Sequence, residues 1–119
     1  MPMTYVYHCV LDRVVDGDTI DVSIDLGFKV WLHKERVRLY GINCPECRTK
    51  DLAEKAKGLA SIDRLIDLLP EKFIIQTTKD GKGKYGRILG IPFVDNVDIC
   101  QQMVKEGHAT AYYGGKKTS

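Results

Sequence analysis

The sequence predicts a β-rich α+β domain, a small barrel of strands with two or three packed helices. The first half of the 119-residue chain alternates apolar and polar residues with period two, which is typical of half-buried strands. The second half contains two segments whose apolar residues recur every three or four positions, as on one face of a helix. The length favours one domain over residues 1–119, with order from about 5 to 113 and a flexible tail at 114–119.

Six segments are expected to be strands. Asp16 and Gly17 signal a tight turn after the first of them. In the second, Ile20, Val22 and Ile24 share one face, which predicts the side that packs on the core. The segments are 5–15, 19–26, 28–32, 36–42, 73–77 and 88–94.

Two segments are expected to be helices. The longer one would begin at Thr49 as its N-cap and end before Pro70, and the shorter one spans about 97–106, with Gly107 just beyond its end. A five-stranded oligonucleotide/oligosaccharide-binding barrel, the OB fold, is one of several α+β architectures that fit this order. The apolar stripe of the longer helix consists of Leu52, Ala56, Leu59, Ile62, Ile66 and Leu69.

The composition excludes several classes of protein. With 44% hydrophobic and 29% charged residues the chain is not disordered, and no apolar run is long enough to span a membrane. A net charge of +2 is too small for a histone-like polycation, so a site for a polyanion must come from local clustering. The chain as given carries no signal peptide, which predicts a cytoplasmic protein, or a secreted one if a signal was removed. We expect a monomer.

The four cysteines favour reduced thiols. Cys44 and Cys47 form a lone CxxC motif without the second ligand pair that a zinc site requires. Cys9 and Cys100 are expected to behave as small buried apolar residues. A metal or redox protein built on Cys44 and Cys47 is therefore the least favoured hypothesis.

Two acidic residues are candidates for chemistry. Asp18 follows the predicted turn and is either a turn residue or a carboxylate aimed at a hard cation. Glu46 lies on a loop stiffened by Pro45, and Arg38 on the preceding strand is a candidate partner. The two form either a surface ion pair or a general base beside a cation that stabilises developing charge.

A basic loop and two tyrosines complete the candidate set. Residues 79–87 carry four cationic side chains against one aspartate and form either a solvated loop or a phosphate contact. Tyr112 and Tyr113 either pack with their hydroxyls at the surface or stack on a base. A carboxylate for a metal, a base, arginines and a basic loop are together what phosphodiester hydrolysis requires.

Three ordered motifs resemble those of the staphylococcal nuclease (thermonuclease) family. They are Val15-Asp16-Gly17-Asp18-Thr19, then Arg38-Leu39-Tyr40-Gly41-Ile42-Asn43-Cys44-Pro45-Glu46, then Lys84-Tyr85-Gly86-Arg87. The resemblance implies a barrel with packed helices. It also implies calcium-dependent endonuclease cleavage of DNA or RNA at the bond to the 5′ oxygen, which leaves 3′-phosphates.

The resemblance further implies a calcium site. Asp18 and Asn43 would be ligands through their side chains, and Cys44 through its backbone carbonyl. The family usually has Asp where this chain has Asn43, which removes one negative charge and predicts weaker calcium affinity.

The resemblance assigns catalysis to three residues. Glu46 would be the general base, and Arg38 and Arg87 would bind the scissile phosphate. The alternative is a catalytically weak or inactive OB-fold module that binds nucleic acid or protein, to which Asn43 points. The substrate-binding residues would be Lys84, Tyr85 and Tyr113.

Overall fold

The described residues, 5–47, 49–79 and 88–111, form eight β-strands and two α-helices in this computed structural model. The β-rich α+β class is as the sequence predicts. Neither described helix is long and apolar enough to cross a membrane. The tail predicted at 114–119 lies outside the described residues. In chain order the elements are β1 (Tyr5–Asp16), β2 (Thr19–Gly27), β3 (Val30–Leu39), β4 (Ile42–Asn43), α1 (Leu52–Leu68), β5 (Lys72–Lys79), β6 (Ile88–Val94), β7 (Val97–Asp98), α2 (Ile99–Lys105) and β8 (Thr110–Ala111).

Five strands close into a ring. β3, β2, β1, β5 and β6 are antiparallel neighbours in that order, and a parallel pairing of β3 with β6 joins the two ends. This pairing sets Val37 opposite Ile88 and Arg38 opposite Leu89. β7 continues from β6, while β4 and β8 form a separate two-stranded sheet. The closed ring is the barrel-like arrangement that the sequence predicts.

The core lies inside this ring. The predicted inward face of β2 is confirmed, since Ile20, Val22 and Ile24 are almost completely buried. Gly90 in β6 permits the close approach of neighbouring side chains, because a Cβ there would lie 2.8 Å from Cδ1 of Ile75. The helices add Leu65, Ile99 and Met103 to the same core.

The structure has one strand, β3, where the sequence predicts two, over 28–32 and 36–42. β3 runs without interruption from Val30 to Leu39, and Phe28 and Lys29 form the two-residue turn that joins it to β2. Both turn residues have positive φ, 56° and 65°, as this turn requires. The apparent break near 33–35 is a β-bulge, where Lys34 has a φ of 55°.

The start of α1 differs from the prediction. Asp51, not Thr49, is the N-cap, because its carboxylate accepts hydrogen bonds from the amides of Ala53 and Glu54. Thr49 instead accepts a hydrogen bond from the amide of Asp51. In α2 the N-cap is Asp98, and the predicted role of Gly107 beyond the helix end is confirmed by its φ of 81°.

The buried face of α1 also differs from the predicted stripe. Leu52 is 79% exposed, and Leu59 and Ile66 are exposed as well, while Leu69 at the end of the predicted stripe is buried as expected. The face that packs inward consists of Gly58, Ser61 and Leu65. Small residues are needed there because two loops approach the helix closely, which apolar periodicity alone does not indicate.

Candidate functional site

Asp18 links the β1–β2 turn to the loop that follows β4. Its Oδ1 accepts a hydrogen bond from Thr19 Oγ1 at 3.1 Å, and its Oδ2 accepts one from the backbone amide of Cys44 at 3.0 Å. Its carbonyl accepts a hydrogen bond from the amide of Leu39 in β3. Three chain segments therefore fix the position of this carboxylate.

The guanidinium of Arg38 lies between two of the predicted metal ligands. Its Nη1 is 3.6 Å from Asp18 Oδ2, and its Nη2 donates to Asn43 Oδ1 at 3.3 Å. Nη1 also donates to the carbonyls of Leu39 and Asp18. The side chain is 20% exposed, so Arg38 is held by several contacts while its charge stays close to solvent.

Glu46 lines a cleft together with Asn43 and Cys44. The cleft has a volume of about 610 Å³ and is bounded by the β4–α1 loop, the start of α1 and residues 107–110. Glu46 is exposed, as a base that must meet water and substrate requires. Two residues of this cleft also contact the other predicted residues, since Asn43 accepts a hydrogen bond from Arg38 and the amide of Cys44 donates one to Asp18.

Helix α1 supports both loops of the site at two small residues. A Cβ on Gly17 would lie 2.7 Å from Cβ of Ser61 and 2.9 Å from Sγ of Cys44. A Cβ on Gly58 would lie 2.8 Å from the backbone of Cys47. These contacts leave no room for a larger side chain, so the helix determines how closely the turn and the loop approach each other.

The cysteines of the site are not arranged for thiol chemistry. None of the four cysteines, all of which the structure describes, is part of a disulfide, and Cys9 and Cys100 are buried as predicted. Burial raises the pKa of the Cys44 thiol to about 12, and the nearby Asp18 carboxylate contributes to this increase. The raised pKa disfavours the thiolate form of Cys44, which is the form that attacks a disulfide.

The oxygen donors fit a hard cation in type but are few. Asp18 and Asn43 offer carboxylate and amide oxygens, which calcium prefers, and both contact the positive charge of Arg38. Within the described residues no three His, Cys, Asp or Glu side chains gather around one point. Calcium takes six to eight oxygens, so a site here needs further oxygens from water or from the substrate phosphate.

Asp16, for which the sequence predicts only a place in the turn, also contacts this region. Its Oδ1 accepts a hydrogen bond from the thiol of Cys47 at 3.0 Å, which ties the end of β1 to the β4–α1 loop. The sequence feature that could have indicated this role is the position of Asp16, two residues before Asp18. The predicted residues Lys84, Tyr85, Arg87 and Tyr113 lie outside the described residues.

Comparisons with known proteins agree with the predicted resemblance. The model of the family described as staphylococcal nuclease homologue matches residues 36–119. A micrococcal nuclease of Shigella flexneri is 34% identical over 116 residues, covering 89% of this chain and 59% of the relative. Endonuclease YncB of Bacillus subtilis (strain 168) is 30% identical, with coverages of 87% and 47%. A thermonuclease of Staphylococcus intermedius is 29% identical, with coverages of 85% and 57%. The chain thus spans about half the length of these relatives.

Proposed function

Since the chain belongs to the staphylococcal nuclease family, we propose that it is a nuclease that hydrolyses DNA or RNA with Ca²⁺ as its cofactor. The support from relatives is their names, which include a micrococcal nuclease, an endonuclease and a thermonuclease. The support from the fold is the convergence of Asp18, Arg38 and Asn43, which is the observation that carries the proposal.

In the proposed reaction Glu46 acts as the general base. It takes a proton from water as the water oxygen attacks phosphorus, and the bond from phosphorus to the 5′ oxygen breaks. The 5′ oxygen takes up a proton from solvent and leaves as a 5′-hydroxyl, and a 3′-phosphate remains on the other fragment. Arg38 stabilises the negative charge that builds on the phosphoryl oxygens, for which a guanidinium is suited because it donates two parallel hydrogen bonds. Arg87, which immediately precedes Ile88, is proposed as the second arginine, since Ile88 pairs with β3 beside Arg38.

The proposed calcium ligands are Asp18, Asn43 and the carbonyl of Cys44. When bound, the ion polarises a phosphoryl oxygen. One carboxylate beside one guanidinium leaves this ligand set with little net negative charge, so we expect weak calcium binding before the substrate arrives. The proposed substrate contacts are Lys84, Tyr85 and Tyr113.

Cleavage of single-stranded DNA in calcium and in chelator tests the proposal. Glu46→Gln is expected to lower the cleavage rate by roughly 10²- to 10⁴-fold, the usual contribution of general-base catalysis. Glu54→Gln is the matched control, because Glu54 lines the same cleft and has no proposed role. Cleavage that persists in chelator, or equal rates for the two variants, would contradict the mechanism.

The product and residue 43 give a second test. Product strands should resist extension by a polymerase until a phosphatase removes their 3′-phosphate. Asn43→Asp should lower the calcium concentration that gives half-maximal cleavage, since it adds a negative ligand. Salt-sensitive binding without cleavage by either protein would instead favour the binding module.

A further inference from the structure

The outward face of the β2–β3 hairpin leads from Arg38 towards the hairpin turn. Thr19 lies opposite Arg38, and Asp21 lies opposite Arg36 one row further along. The residues between them, Ile20 and Val37, are buried, so these rows face away from the core. Arg36 is therefore the outward neighbour of Arg38, roughly 7 Å away along the strand.

An aspartate flanked by two arginines forms this second row. Asp21 accepts hydrogen bonds from Nε of Arg13 at 3.2 Å and from Nε of Arg36 at 3.0 Å. The hydrogen bond from Arg36, more than any other interaction, lowers the pKa of Asp21. Both arginines are largely exposed while Asp21 is not. The row thus presents a net positive charge and oriented guanidinium groups to solvent, which suits a phosphate.

The β-bulge at Lys34 decides which side chains lie beyond Arg36 on this face. Without the extra residue, regular alternation would direct Leu32 outward. With it, Trp31 lies opposite Asp25 on the outward face, and Leu32 lies opposite the buried Ile24.

The bulge thereby exposes a pair of stacked rings. The Trp31 and His33 rings lie 6.2 Å apart at an interplanar angle of 10°, and Trp31 is 39% exposed. Nδ1 of His33 is 3.4 Å from Oγ of Ser23, which helps hold the histidine ring in place. A partly exposed indole stacked on a second ring is a surface on which a nucleobase can stack.

We infer that the outward face of β3 is a binding track for the single strand that the site cleaves. This inference rests on the proposed function. Arg36, supported by Asp21 and Arg13, contacts a phosphate next to the reaction centre, and the Trp31–His33 pair stacks on a base further away. Six residues lie between Trp31 and Arg38, and with the bulge the two are about six strand steps of about 3.3 Å apart, or on the order of six stacked nucleotides.

Trp31 is the only tryptophan, so its fluorescence reports on the track directly. In Glu46→Gln protein with calcium, which binds without cutting in the proposed mechanism, a saturating twelve-nucleotide strand should quench this fluorescence. A saturating dinucleotide should leave it unchanged, because it cannot reach from Arg38 to Trp31. Equal effects of the two lengths, or no effect of either, would overturn the track.

Variants separate the two parts of the track, with binding measured by anisotropy of a labelled strand. Trp31→Ala should weaken binding of the twelve-nucleotide strand by roughly 5- to 150-fold, while Trp31→Phe keeps most of the affinity. Arg36→Gln should reduce the slope of log affinity against log salt by about 0.7, the contribution of one phosphate. Arg64→Gln is the control, since Arg64 is also bound to a carboxylate, that of Glu106, but on the helices.

The outcomes distinguish this inference from the proposed function. Cleavage by the wild-type protein combined with unchanged binding by Trp31→Ala and Arg36→Gln overturns the track and leaves the nuclease intact. Quenching by the long strand without any cleavage supports the track and removes the nuclease. A tryptophan signal that changes with protein concentration in the absence of nucleic acid identifies the face as a self-association surface and overturns the inference.

Discussion

The two ends of the β2–β3 hairpin differ sharply in burial. At the base, Ile20 and Val37 are completely buried, and the strands are joined on both sides by β1 and β6. At the tip, Leu32 is exposed and the side chain of Phe28 is 100% exposed. One pair of strands thus begins inside the core and ends in solvent.

The two ends of the hairpin therefore differ in how firmly their side chains are held. Arg38 and Asp18 lie at the base, where surrounding contacts hold them within hydrogen-bond distance of fixed partners. The tip has few buried contacts, and such segments open and move more readily than core strands. If the proposed function holds, the base is suited to holding reacting atoms, and the tip to adapting to a bound strand.

Shortening one apolar side chain at each end of the hairpin tests the difference in burial, and this test has the largest expected effect. Ile20→Ala should lower the free energy of unfolding by about 2–5 kcal/mol, because it leaves a cavity in the core. Leu32→Ala removes a similar side chain at the tip and should cost less than about 1 kcal/mol. Urea unfolding measures both, and similar losses would show that the tip packs as tightly as the base.

Replacing a glycine by a larger residue at each end should change the stability by a smaller amount, again more at the base than at the tip. Gly17→Ala forces a methyl group against Ser61 and Cys44 and should destabilise by about 1–3 kcal/mol, with reduced cleavage as Asp18 shifts. Gly27→Asn is the counterpart at the tip, where nothing lies within 4 Å and asparagine tolerates the positive φ of 83°. Thermal unfolding and cleavage rates should change for the first variant and stay near wild type for the second.

The turn between β2 and β3 can be made more stable by substitution. Phe28 and Lys29 adopt positive φ, a backbone conformation that is unfavourable for most residues other than Gly and Asn. Replacing the pair by Asn-Gly should raise the free energy of unfolding by roughly 1 kcal/mol. Chemical unfolding tests this, and a loss of stability would mean that the Phe28 ring makes contacts that its exposure does not indicate.

The smallest expected effect is the pH dependence of the Arg13–Asp21–Arg36 row. The neighbouring arginines hold the pKa of Asp21 below its ordinary value of 3.8. Its stabilising contribution is therefore present above pH 3.8 and is lost as the pH falls through the lower folded-state pKa. Asp21→Asn should flatten this part of the curve of stability against pH, and an unchanged curve would show that the row is too well solvated to matter.

Local patterns predict the parts of the site that belong to one strand or one turn. The strict alternation of β2 and the turn at Gly17 place Asp18, and the polar face of β3 places Arg38. The contact of Arg38 with Asn43 is not predictable in detail, because it depends on how the loop after β4 packs against α1.

The remaining errors have physical causes. Thr49 and Asp51 are both good N-cap residues, and only the packing of the preceding loop decides between them. Apart from Leu69, the apolar stripe of α1 does not predict the buried face, because Gly58 and Ser61 are buried where neighbouring loops pack closely against the helix. Phe28 is predicted to begin a strand because turns with positive φ rarely carry aromatic residues.

The parallel pairing of β3 with β6 is expected to form late in folding. The two strands are separated in the chain by α1 and β5, so their pairing must overcome a large loss of chain entropy. Arg38 lies within that pairing. During refolding, catalytic activity should therefore return with the slowest step of ring closure, after much of the helical signal has recovered.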